Sequence, residues 1–187
     1  LERAPVYSVG REEGSEVSRA ARIVEAVRTV HYRNEKVGMV CLALTSQSDP
    51  AIMKVIEKVE SQNPSREVQG QASLAIAMIL KGLGDDPEVM EKRISHLRSA
   101  IIKAHEVEVG DTTVSKLAMD EIFIIRNLTK GRTAPDAIGR DSSGEPFKLS
   151  MMKGKVTVLA FWHTRMREAE RGLSLLRKLH EQYGQRG

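Results

Sequence analysis

Cysteine is almost missing from this 187-residue chain. With Cys41 alone, neither an intrachain disulfide nor a dithiol redox pair can form within it. Aromatic residues make up only 4%, so the core must be built from Leu, Ile, Val, Met and Ala. No apolar run approaches the roughly 20 residues that span a bilayer, so no membrane span is expected. The excess of positive charge is slight, +4, and is spread along the chain without a dense basic block interleaved with aromatics. A nucleic-acid partner is therefore not expected. No signal peptide is visible, but the chain opens at Leu1 and not at Met, which leaves the compartment open.

What is present is ordinary soluble material, 41% hydrophobic and 29% charged, and its apolar residues recur mostly at helical spacing. Residues 1–14 carry no sustained period and read as a lead-in. Ser15 offers an N-cap to a first helix through Val17, Ala20, Ala21, Val24 and Val27. A second helix is expected from near Asn34, with Val37, Val40, Cys41 and Leu44 on its apolar stripe. Asp49-Pro50 and Asp86-Pro87 each pair a capping residue with the proline that suits a first helical position. They open helices carrying Ile52, Val55, Ile56 and Val59, and then Met90, Ile94, Leu97, Ile101 and Ile102. Between them, after Asn63-Pro64-Ser65, a helix runs from Arg66 to just before Gly82. A sixth follows Gly110-Asp111 and carries Val114 to Leu128.

Residues 15–128 thus form an α-helical domain. The starts at Ser15, Asp49 and Asp86 lie 34 and 37 residues apart, the scale of a helical-hairpin repeat, so a HEAT-like layer is expected, with an irregular helical bundle as the alternative. Little here invites chemistry. Cys41 sits on an apolar stripe and reads as a core side chain. His96 and His105 do not share a helical face, and neither has a partner at metal-ligand spacing. No metal and no cofactor are expected.

The pattern changes over residues 131–187. Residues 137–140 and 146–149 are short extended candidates around a loop whose Gly144 suits a positive φ. Residues 156–162, VTVLAFW, read as a buried strand, and Leu173, Leu176 and Leu179 mark an amphipathic helix over 168–183.

The series GRTAPDAIGRDSSGEPFKLSMMKGKVTVLAFW resembles the opening of a thioredoxin-like redoxin domain of the AhpC/TSA or TlpA type. Ala134, Pro135, Asp136, Gly144, Pro146, Phe147, Leu149, Ser150, Lys153, Gly154, Lys155, Val156, Phe161 and Trp162 carry the match. The helical part is more loosely similar to the region that precedes redoxin domains in some planctomycete-type bacterial proteins. The resemblance implies a mostly α chain: a helical layer followed by an incomplete α/β segment of hairpin, central strand and helix. It also implies thiol-disulfide exchange or peroxide reduction, a redox partner, and a place outside the cytoplasm. The family's two cysteines, however, fall at Met166 and Ala169, and its later strands, helix and cis-proline loop do not follow within the sequence. A thioether and a methyl group can neither form a thiolate nor resolve a mixed disulfide. The chain is therefore expected to be inactive as a reductase. The alternative is a non-enzymatic helical protein-interaction module with a degenerate redoxin segment. A strand left without neighbours would also allow a dimer through its exposed edge.

Overall fold

The computed structural model describes residues 21–46, 50–163, 165–166 and 169–184. The chain is mostly helical and divides into two compact units after Thr133.

In the first unit, α1 covers residues 21–31, its last turn, Val27–His31, being π-helical. It is followed by α2 (Val37–Leu44), α3 (Pro50–Gln62), α4 (Arg66–Lys81) and α5 (Pro87–Lys103). A two-residue hairpin of β1 (Glu108–Val109) and β2 (Thr112–Thr113) then leads into α6 (Val114–Asn127).

The unit is organised around α4. Ser65 caps it by accepting from the Val68 amide at 3.4 Å. Its middle, from Val68 to Ala77, is buried on nearly every side, Gln71 and Ser73 included, because it packs against two cores at once. Val68, Ala72, Ala75 and Ile76 face a core shared with α1, α2 and α3, where Val24, Val37, Cys41, Ile52, Ile56 and Val59 pack. Leu74 and Ala77 face a second core with Leu97 and Ala100 of α5 and Val114, Ala118 and Ile125 of α6. Each fully buried Leu or Ile here contributes roughly 1.5–3 kcal/mol. Small residues set the close approach of the helices: a Cβ placed on Gly70 would lie 2.8 Å from the Ala104 backbone nitrogen. α2, α3 and α5 all pack on α4, and α6 packs on α5, so α4 is the wall shared by the two cores.

Some boundaries differ from expectation. The second helix starts at Val37 and not near Asn34, because the Asn34 side chain accepts the Lys36 amide at 2.8 Å and forms a turn instead. Asp86 occupies the N-cap position of α5 without a side-chain cap bond, so Pro87 alone marks that start. Ser15, Asp49 and the lead-in lie outside the described residues.

The second unit begins with the hairpin of β3 (Ile138–Arg140) and β4 (Pro146–Lys148), paired with Gly139 opposite Phe147. Asp141 closes its loop by accepting the Ser143 and Glu145 amides, and Gly144 takes φ 85°. A 3₁₀ turn, Leu149–Met152, follows, then a turn at Lys153–Lys155 and a stretch without regular secondary structure over residues 156–163, and further on α7 (Ala169–Tyr183).

The central strand expected over residues 156–162 is not formed. Val156 is 92% and Phe161 89% exposed, and the stretch joins no ladder among the described residues. β3 and β4 pair only with each other, and an apolar run becomes a strand only where another strand accepts its backbone hydrogen bonds. No described side chain of this unit is buried.

Candidate functional site

The positions where the resemblance places redox cysteines lie at the start of α7. Ala169 is its first residue, and its amide donates to the Met166 carbonyl at 3.2 Å. The Met166 amide in turn donates to His163 at 3.0 Å. A helix start suits a thiolate, since the helix dipole favours negative charge there, but the side chains at Met166 and Ala169 supply none. Asp136 is tied to Ser150, accepting its amide and its hydroxyl at 2.8 Å each, and these bonds hold its carboxyl below the ordinary range. Cys41 lies in the first core, where burial pushes its thiol up to about 12. At neutral pH it is a closed, protonated side chain. His105 is exposed beyond α5. Among the described residues no three His, Cys, Asp or Glu side chains gather as a metal-binding group. No described helix is long and apolar enough to cross a membrane.

The helical unit holds the better-formed site. An open groove of about 800 Å³ runs along the outer face of α5. Positions 90, 94, 98 and 102 recur at the four-residue step that lines one helical face. Met90, Ile94 and Ile102, with Ile125 of α6, give the groove an aliphatic floor, and Ile102 is 71% exposed in it. Arg66 from the start of α4, Arg98 and Lys103 from α5, and Arg132 beyond α6 line its rim. None of the four is in an ion pair with a carboxylate among the described residues. Glu91 is the one acidic lining residue. The start of α4 lies against the end of α5, since a Cβ on Gly70 would lie 3.0 Å from that of Lys103. Arg66 and Lys103 therefore gather at one end. At 1.5 Å per residue, Glu91 sits roughly 10 Å from Arg98 along the helix.

No family model, curated protein or solved structure matches the chain. What the groove can do must be read from its own side chains. Behind it, Ser99 of the lining lies 3.0 Å from the hydroxyl of Ser73, which is itself 2.6 Å from Glu60 Oε1. His96 Nδ1 reaches the same oxygen at 3.0 Å. Serine, histidine and carboxylate are thus together, but not in a nucleophilic order. Ser73 is fully buried and gives its proton to the carboxylate, and His96 spends Nδ1 on Glu60 instead of taking a hydroxyl proton. The chain joins α3, α4 and α5 and backs the groove.

Burial raises the Glu60 carboxyl, but hydrogen bonds from His96 and Ser73, with the positive charge of His96 and Lys103, outweigh it and leave it lowered. A group lowered on folding stabilises the native state above its unfolded value and stops doing so as pH falls through its folded one. Urea midpoints of the parent and of Glu60→Gln should therefore differ near pH 7 and converge on acidification below 4.5. A gap that widened in acid would contradict this assignment.

The sequence reading missed the groove. Its signal was present as surplus: α5 carries more apolar positions than one core face needs, with Leu97 and Ala100 buried in the core, Met90 and Ile94 only partly buried against it, and Ile102 left exposed.

Proposed function

We propose that this chain is a non-enzymatic binding module whose helical unit engages a protein partner, and that its C-terminal unit is a redoxin-type segment without thiol chemistry. The groove carries this reading: an aliphatic floor rimmed by four cations, none of them in an ion pair among the described residues, is surface arranged to receive something. No nucleophile in it is paired with a base, which supports binding over catalysis. The redoxin part rests on the sequence series, on the Asp136–Ser150 tie and on α7 starting at Ala169. With Met166 and Ala169 in place of thiols and Cys41 held protonated in the core, no group can open a disulfide.

The test is insulin reduction by dithiothreitol in the presence of the full chain. The expected rate equals that of the blank, for the parent and for Cys41→Ser alike. Turnover above the blank that Cys41→Ser abolishes would overturn the reading.

A further inference from the structure

We infer that the α5 groove binds an acidic, amphipathic protein segment, one that sets one or two large apolar side chains beside Asp or Glu. The inference rests on the binding-module reading and names its ligand. Three observations bear on the ligand's chemistry. The floor of Met90, Ile94, Ile102 and Ile125 is aliphatic and suits Leu, Ile or Phe side chains, with Met90 able to adapt its shape to them. The rim carries Arg66, Arg98, Lys103 and Arg132 against Glu91 alone, so the complementary surface is acidic. Arginine predominates, and its fork meets a carboxylate through two parallel hydrogen bonds.

The same residues disfavour the other anionic ligands. A single-stranded nucleic acid is held by aromatic side chains on which its bases stack, and no Phe, Tyr or Trp lines the groove. A fatty acid needs an enclosed apolar channel to cover its tail, whereas this groove is open along its length and leaves Ile102 71% exposed. A peptide can leave one side in water and still seat alternate side chains. The charge is also polar along the helix: Arg66 and Lys103 lie where α5 ends, and Glu91 lies towards its start. The bound segment should thus place its carboxylates at the α5 C-terminal end.

The experiment is selection of a random peptide library displayed on phage against the full chain, followed by anisotropy titration of the fluorescein-labelled consensus peptide. Enriched sequences should combine Asp or Glu with Leu, Ile or Phe. Binding should weaken about tenfold or more in Arg66→Glu/Arg98→Glu, and weaken again as added salt screens the exposed rim. Ile94→Ser should weaken it without changing the salt dependence. Circular dichroism should show all variants folded. The proposal is overturned if nothing is enriched, if the enriched peptides lack acidic residues, or if the charge-reversed variant binds them as well as the parent. It is equally overturned if laurate or oligothymidylate displaces the peptide from the same site at lower concentration than the unlabelled peptide. None of these outcomes produces disulfide turnover, so failure here is distinguishable from failure of the non-enzymatic reading.

Discussion

Glu121→Ala should lower the stability of the helical unit by about 3–5 kcal/mol, because it strands a buried guanidinium. Arg93 of α5 is only 3% exposed and donates through Nη2 to Glu121 Oε2 at 2.9 Å. Lys81, at the end of α4, reaches the other carboxylate oxygen at 2.7 Å. One carboxylate thus holds two cations from two helices. Arg93 Nε has no hydrogen-bond partner even with Glu121 present, so the site has no spare acceptor to take over. Removing the carboxylate leaves Arg93 charged and desolvated between α4 and α6.

The loss is large against the 5–15 kcal/mol that holds a typical domain. Urea denaturation followed by circular dichroism should therefore show a strongly shifted midpoint. The double replacement Arg93→Met/Glu121→Leu should recover most of it, because removing both charges also removes the desolvation penalty. Lys92→Ala, which breaks the solvent-exposed pair with Glu88, should leave the midpoint nearly where it is, because water screens the pair. A Glu121→Ala variant as stable as Lys92→Ala would show that Arg93 finds water or another acceptor.

This triad also shows where a sequence reading runs out. Arg93, Glu121 and Lys81 are separated by 28 and 40 positions, and no local period relates them. A charged residue on an amphipathic helix reads as solvent-facing by default. Local signals fared better. Pro87 opens α5 at the expected residue, Arg66 opens α4 after its serine cap, and Asp141 with Gly144 turns the C-terminal hairpin. Each of these is decided by one residue's own backbone chemistry. The small β1–β2 hairpin had such a signal too: Gly110-Asp111 between Val109 and Thr112, with Gly110 at φ 60°.

Residues 156–162 fail for a different reason. VTVLAFW has the composition of a buried strand, but composition cannot supply the neighbours that bury it. The groove illustrates the converse. Ile94 and Ile102 fit the helical period equally well whether they face the core or solvent, so only the packed helices show that Leu97 takes the core and Ile102 does not. At the positions where the resemblance would expect thiols, their absence from Met166 and Ala169 was legible at once, since chemistry that needs a particular atom is excluded by a residue that lacks it.

Asn63→Asp should destabilise the helical unit by roughly 2–4 kcal/mol near neutral pH, although it changes a single atom of the side chain. Asn63 is buried in the link between α3 and α4. Its Nδ2 donates to the carbonyls of Tyr32 at 2.8 Å and Asn34 at 3.1 Å, and its Oδ1 accepts the Ser65 amide at 2.9 Å. One amide thereby pins the turn before α2 to the turn that starts α4. Aspartate keeps the acceptor for Ser65 but turns the donor into a second acceptor, directed at two carbonyl oxygens. Burial and that repulsion both disfavour its charged form and should raise its folded pKa above the unfolded value. A group raised on folding binds its proton more tightly in the native state, so stability lost at neutral pH should return as pH falls. Once protonated, the carboxyl can donate to one of the two carbonyls, and about half of the tie is restored. Asn63→Ala, with no proton to gain, should be destabilised without that recovery. Urea midpoints of the three proteins at pH 7 and near pH 5 separate these outcomes. An aspartate variant that tracked the alanine variant at both values would show that the two carbonyls do not depend on the Asn63 amide.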